Sequence, residues 1–261
     1  MKRIIITIIF IFITSLLSAK IKSINPSEEY IRNNKIIGTV VIESLKTHKI
    51  YIYNQKRAAT RFLPASTFKI VNTLIALQEK AVKDENEIIK WDRQDKGLLD
   101  WNKDQNIKSA FPVSCVWFYQ ELARKIGDEK YLLYLKKIDY GNAKTGKAVD
   151  SFWLDGDLRI SAIEQLEVMK KIYNENYNFD KKYYEILKTL MIVDKKEHYV
   201  VRAKTGTALR VTSNIGWYVG YIEVNNDVWF FACNLEMTKP EDGRFRKELI
   251  YNALKGLKII D

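Results

Sequence analysis

The chain predicts an α/β (α+β) fold in which an antiparallel sheet is flanked by helices and interrupted by an all-helical half. Three observations predict it. β-Branched and aromatic residues cluster near both ends, over 37–53 and 199–234. The stretch between them changes to helical periodicity with cap residues. A last segment, 244–258, returns to helical spacing with Phe245, Leu249, Ile250, Ala253, Leu254 and Leu257.

The elements follow in order. Gly38-Thr39-Val40-Val41-Ile42 and Lys49-Ile50-Tyr51-Ile52-Tyr53 flank the polar Lys46-Thr47-His48 and read as an antiparallel hairpin. A helix opens at Ser66, with apolar Ile70, Val71, Leu74, Ile75 and Leu77. In the middle, 117–126 is helical and stops at Gly127, Asp128 caps a helix through Lys137, and Ser161-Ala162-Ile163-Glu164 is a capping box. Strands follow at 199–204, 215–221 and 228–234, the last two joined by an Asn225-Asn226-Asp227 turn. The sheet half is thus 20–80 with 199–261, the helical half 81–198, and no repeat or flexible linker interrupts them.

Met1-Lys2-Arg3, the apolar run 4–17 and Ser18-Ala19 have the form of a secretory signal peptide over 1–19. The remainder, 20–261, is expected to be an exported protein without a membrane span, periplasmic in a Gram-negative source. The net charge is +11, and loss of Lys2 and Arg3 with the leader leaves +9. Lysine and glutamate are mixed along the helices, and no cluster interleaves arginine with exposed aromatics, so nucleic acid is not an expected partner. Cys115 and Cys233 lie in apolar settings and read as buried free thiols. His48 and His198 fall in polar runs and read as surface residues, which argues against both a serine–histidine triad and a zinc site. Tyr183, Tyr184 and Tyr199, read as exposed, leave monomer and homodimer both open.

The chemistry concentrates at Ser66-Thr67-Phe68-Lys69. Residues three apart share a helix face, so the Lys69 amine can lie beside the Ser66 hydroxyl at the positive end of the helix dipole. Lysine acts as a base only when neutral, and the flanking Phe68, Ile70 and Val71 point to the desolvation that makes it so. Such a pair needs a proton relay, a substrate anchor and an oxyanion site. Three downstream groups fit: Ser114-Cys115-Val116, Tyr140-Gly141-Asn142 and Lys204-Thr205-Gly206. A second Lys-Thr-Gly, at 144–146, sits in a polar loop and reads as a turn. The later copy lies on a strand, where Gly206 lets a substrate approach the backbone and the Thr207 N–H can face a developing oxyanion.

Together, and in this order, these four motifs resemble those of the class D serine β-lactamases, the oxacillinase type. Gly97-Leu98-Leu99-Asp100-Trp101-Asn102, Lys108-Ser109-Ala110-Phe111, Trp117-Phe118-Tyr119-Gln120-Glu121-Leu122-Ala123 and Asp150-Ser151-Phe152-Trp153-Leu154 extend the likeness over nearly the whole chain after the leader. The resemblance implies a serine β-lactamase/penicillin-binding-protein-like fold, a β-lactam substrate, and no cofactor beyond the CO2 or bicarbonate that carboxylates Lys69. It implies Ser66 as the acylated nucleophile, carboxylated Lys69 as base, Trp153 as the donor holding that carbamate, and Ser114 passing protons between Lys69 and Lys204. Lys204, Thr205 and Arg246 would hold the substrate carboxylate beside Gly206, the backbone N–H groups of Ser66 and Thr207 would form the oxyanion hole, and Val116 and Leu154 would form an apolar lid. Cys115 stands where the resemblance leads one to expect alanine.

Competing readings stay open at this level. Trp153 also fits a plain core position, Arg246 a solvated helix, Ser114 a helix N-cap, and Tyr140 and Asn142 a turn that only walls the cleft. For the whole protein, the rival to hydrolysis is a penicillin-sensing or penicillin-binding protein that is acylated at Ser66 and stays so. Substrate spectrum is expected to depend on the loops near Trp101, Leu154 and 207–211.

Overall fold

The computed structural model describes residues 25–209 and 214–261. The segment read as a leader, residues 20–24 and the loop positions Arg210 and Val211 lie outside the described residues. Among those described, no helix is long and apolar enough to cross a membrane.

The strands are β1 (Gly38–Ser44), β2 (Ile50–Tyr53), β3 (Ile192–Lys195), β4 (Tyr199–Ala208), β5 (Asn214–Val224) and β6 (Asp227–Met237). They form one sheet in the order β2-β1-β6-β5-β4-β3, with every pairing antiparallel. The first hairpin therefore joins the last strand, with Gly38 opposite Leu235 and Ser44 opposite Trp229. The intervening segment leaves the sheet and returns, as the two separated runs of strand residues predict.

Alternation along the strands sends side chains to two cores. On one face Val40, Ile42, Ala203, Tyr218, Phe231 and Cys233 pack with Leu249, Ile250, Ala253 and Leu254 of the C-terminal helix and Ile31 of the first helix, α1 (Asn25–Asn33). On the other, Val41, Val219, Phe230 and Ala232 lie beneath the helical body. Complete burial of one such leucine contributes roughly 2 kcal/mol.

After α1 that body comprises α2 (Gln55–Ala59), α3 (Lys69–Gln78), α4 (Ile107–Ala110), α5 (Val116–Ile126), α6 (Asp128–Lys137), α7 (Ala162–Tyr173) and α8 (Lys181–Leu190); α9 (Phe245–Gly256) closes the chain. The Ser161 capping box forms as expected: Glu164 N–H donates to Ser161 Oγ at 3.2 Å, and Ser161 N–H donates to Glu164 Oε2 at 2.8 Å.

Several expectations are corrected. Asp128 is the first helical residue of α6 and not its cap; Gly127 takes the cap position and makes no side-chain bond. The helical half gives way to the sheet at β3, whose edge pairing with β4 is broken by a bulge between Ile192 and Asp194. Its short, irregular run hides it from a search for alternation. The early helical half is largely irregular, with one bridge between Ile89 and Gln105 and a 3-10 turn at Leu99–Trp101. Tyr183 and Tyr184 are buried on α8 rather than exposed, because they face the same side as Leu187; they offer no dimer surface. Cys115 and Cys233 are buried free thiols, and both histidines are exposed.

Candidate active site

Ser66 lies in a 3-10 turn, Ala65–Phe68, that runs directly into α3. The turn is held from several sides. Ala65 adopts a left-handed φ of 48°, and its N–H donates to the Trp153 carbonyl at 2.9 Å. The Thr67 hydroxyl donates to the Pro64 carbonyl at 2.7 Å and accepts from Gln165 Nε2 at 2.8 Å. Phe68 is buried in a cage of Tyr131, Tyr140, Phe152 and Trp153, with ring centroids 5.2 to 6.1 Å away. One turn beyond Ser66, Lys69 is fully buried and its amine stands 3.2 Å from Ser66 Oγ. Burial pushes the Lys69 amine down to about 7, since no carboxylate compensates its charge. The Tyr119 ring, 5.0 Å from the amine, forms one wall.

The second lysine arrives on β4, which runs on to Ala208, so 204–207 lie within the strand and do not close it. Lys204 Nζ donates to Ser114 Oγ and, at 3.1 Å, to the Thr205 carbonyl. Desolvation first, and then the neighbouring charge of Lys69, hold Lys204 well below the ordinary lysine range. The site thus disfavours two ammonium groups at once.

Ser114 reaches that lysine through its backbone. It has φ of 56°, a conformation that usually falls to glycine at a helix end. Its N–H donates to Phe111 O, and the Cys115 N–H to Ala110 O, the paired bonds of a Schellman stop. Cys115, not Ser114, then occupies the cap position of α5, so the capping reading of Ser114 does not hold. The hydroxyl is left to face Lys204.

Arg246 approaches from α9. Its Nη1 donates to the Gly206 carbonyl at 2.9 Å and to Thr207 Oγ1 at 2.6 Å, and Nε donates to Gly243 O at 2.7 Å. It is an anchored side chain at the cleft rather than a solvated one. Gly206 lines the cleft and also has a packing task. A Cβ there would stand 2.9 Å from Pro64 O and 3.1 Å from Thr67 N, so the missing side chain lets β4 pack against the Ser66 turn itself.

A cleft of about 380 Å³ opens over these groups, lined by Ser66, Ser114, Val116, Leu154, Thr205, Gly206, Thr207 and Arg246, and also by Leu98, Trp101, Val113 and Leu209. Leu98 and Leu209 lie in stretches marked by the sequence, 97–102 and 207–211, without a stated role, and Val113 was not singled out. Adjacent Leu98-Leu99 in a polar loop is the one signal of such a role. Trp101 Nε1 donates to Val113 O and Trp117 Nε1 to Trp101 O, which fixes that loop beside Ser114. A larger surface hollow of about 630 Å³, between 34–37 and 236–245, contains no serine, cysteine or histidine.

Tyr140 and Asn142 are not among the cleft-lining residues. Tyr140 is buried edge-on behind Phe68, its hydroxyl near Thr67 and Gln165 without a well-formed hydrogen bond. Asn142 donates to Asp157 O at 2.8 Å and accepts from Arg159 N–H at 2.9 Å. Asn142 thus anchors the loop that follows Trp153 and Leu154 while Tyr140 packs behind Phe68, and neither lines the cleft as the substrate-binding expectation required. Trp153 is completely buried, and its indole N–H has no hydrogen-bond partner among the described residues. The earlier Lys-Thr-Gly, at 144–146, lies in a loop away from the cleft.

A buried serine–lysine pair between a sheet and a helical body is the arrangement of an acyl-transfer enzyme. Residues 38–255 match the penicillin binding protein transpeptidase domain. The chain is 41% identical over 227 residues to β-lactamase OXA-48 of Klebsiella pneumoniae, covering 87% of this chain and 86% of that one. Among solved structures, a class D β-lactamase from Sebaldella termitidis superposes with a TM-score of 0.88 at 40% identity, over 92% of this chain and 98% of the other. FUS-1 (OXA-85) of Fusobacterium nucleatum subsp. polymorphum gives 0.88 at 36% identity, over 90% and 98%. The chain belongs to the class D β-lactamases. It is accordingly an enzyme, a hydrolase of that class.

Proposed function

We propose that the protein hydrolyses β-lactam antibiotics, penicillins first, through an acyl-enzyme on Ser66, and thereby confers resistance. The observation that carries this reading is the fully buried Lys69 amine 3.2 Å from Ser66 Oγ. At neutral pH an amine titrating at about 7 is neutral in a large fraction of molecules and can add CO2 with loss of a proton, and the carbamate so formed takes the serine proton. Ser66 Oγ then attacks the lactam carbonyl, the C–N bond breaks, and the leaving nitrogen receives a proton through Ser114 and Lys204, which are already hydrogen-bonded. The backbone N–H groups of Ser66 and Thr207 stabilise the oxyanion. Lys204, Thr205 and Arg246 hold the substrate carboxylate, and the apolar rim of Val116, Leu154, Leu98 and Trp101 covers the ring.

Release of the acyl group needs a base after Ser66 has been consumed. A carbamate on Lys69, formed when CO2 adds to the neutral amine with loss of a proton, supplies an anionic base for the attacking water. The residues fit such a group. Lys69 is desolvated enough to stay unprotonated, and Trp153 presents a buried, unpartnered indole N–H in the same aromatic cluster. The water attacks the ester carbonyl, the C–Oγ bond breaks, and Ser66 regains its proton. We propose further that 20–261 is the catalytic domain, released to the periplasm by removal of 1–19.

The test is turnover. Purified protein is expected to open a penicillin many times per Ser66, faster with added bicarbonate, and Lys69→Ala is expected to leave an acylated Ser66 visible by intact mass. A single turnover by the unaltered chain would favour a sensor over a hydrolase.

A further inference from the structure

We propose that Asn72 is a second hydrogen-bond donor to carboxylated Lys69, in addition to Trp153; the inference rests on the carbamate reading given above.

Asn72 stands three residues beyond Lys69 on α3, on the face that also carries Thr73. It is completely buried, and its Nδ2 has no hydrogen-bond partner among the described residues. The orientation of its amide is fixed. The hydroxyl of Tyr131 donates to Asn72 Oδ1 at 2.6 Å, and Tyr131 is itself fully buried, so its phenol keeps its proton and must donate it. Turning the amide over would leave that proton without an acceptor. The –NH2 is therefore the free end.

The two orphaned donors belong to one cluster. Tyr131, which holds Asn72, and Trp153 both pack on Phe68, at 6.1 and 5.7 Å, and both on Phe152, at 5.1 and 5.0 Å. Phe68 immediately precedes Lys69. Buried N–H groups rarely go unpartnered, and two of them, one a helical turn from Lys69 and the other packed on the residue before it, describe a region short of an acceptor. A carbamate has two oxygens and about four lone-pair directions, more than one indole N–H and the Ser66 hydroxyl can fill. Asn72 supplies the missing donor, and Tyr131 aims it.

The experiment follows the carbamate itself, by carbon-13 NMR of the full chain titrated with labelled bicarbonate at fixed pH. Asn72→Leu, close in size but without donors, is expected to raise the bicarbonate concentration for half-occupancy roughly tenfold or more, the effect of losing one hydrogen bond to a charged acceptor. Tyr131→Phe, a gentler change that frees the amide to turn, is expected to raise it by a smaller factor. If Asn72→Leu does not fold, as judged by circular dichroism, Tyr131→Phe alone decides. Occupancy at the wild-type midpoint in the folded variants would overturn the role of Asn72 while leaving the carbamate intact. A wild-type chain with no carbamate signal would overturn the carbamate reading and this inference with it.

Discussion

Gly216 of β5 lies directly beneath the side chain of Arg246: a Cβ at position 216 would stand 2.9 Å from Arg246 Cδ and 3.1 Å from Cγ. The arginine reaches Thr207 only because the strand next to β4 is bare at the residue paired with Thr207. Gly216→Ala should displace the flexible side chains of Arg246 and of Met237, whose Sδ would stand 2.8 Å from the new Cβ, and spare the fold. The expected result is a rise of about tenfold in KM for penicillins with a smaller change in kcat, the pattern of lost binding rather than lost chemistry. Steady-state kinetics read it directly.

Gly206→Ala presses on backbone instead. Its Cβ would meet Pro64 O and Thr67 N, the frame of the Ser66 turn, and neither can step aside. We expect a loss of about 2 kcal/mol of stability and a slower acylation burst with an unchanged number of acylated sites. Urea unfolding and stopped-flow acylation measure the two parts.

Both thiols should be silent in the native protein. Burial pushes Cys115 up to about 11 and Cys233 up to about 12, and only the thiolate reacts. A disulfide-exchange reagent at neutral pH is expected to titrate neither within the time that it titrates both in guanidinium. Rapid native labelling of Cys115 would mean that the wall beside Lys69 opens.

Lys69 makes a pH-dependent contribution to stability whose sign is fixed. In the unfolded chain the amine has its ordinary value of 10.5; in the fold it titrates at about 7. Between those values the unfolded chain binds the extra proton, so stability falls as pH drops from about 10.5 towards 7 and is level below. Lys69→Met, which relieves Lys204 of a neighbouring charge as well, should therefore stabilise the protein by about 4 kcal/mol near pH 7 in CO2-free buffer. The gain should shrink as pH approaches 10. Calorimetry at a series of pH values checks both points.

What the sequence made legible was mostly local. Ser66 and Lys69 could be paired because one helical turn separates them, and the desolvation of Lys69 could be read from Phe68, Ile70 and Val71. The β1–β2 hairpin and the Ser161 box are likewise short-range patterns. Ser114 meeting Lys204 was accessible only through the motif set, since no local residue announces a left-handed serine where glycine is usual. The path of Arg246 over Gly216 needs the register of two strands and the angle of a helix, which no window of sequence contains. Tyr140 and Asn142 were misassigned for a related reason: the residue types that bind a ligand also anchor a loop, and only the bonds to Asp157 and Arg159 separate the two roles. The short α1, α2 and β3 carry too few apolar positions to stand out from their polar neighbours.

Because β1 takes β6 as its partner, the machinery cannot be completed before the segment through β6 and α9 has been made. Ser66 and Ser114 are synthesised before Lys204, and Lys204 before Arg246. A nascent or truncated polypeptide lacking its final helix would carry the nucleophile but not the anchor that presents substrate to it. Catalytic competence therefore requires β6 and α9 to be docked on β1 and β4, and recovery of activity during refolding should report that docking.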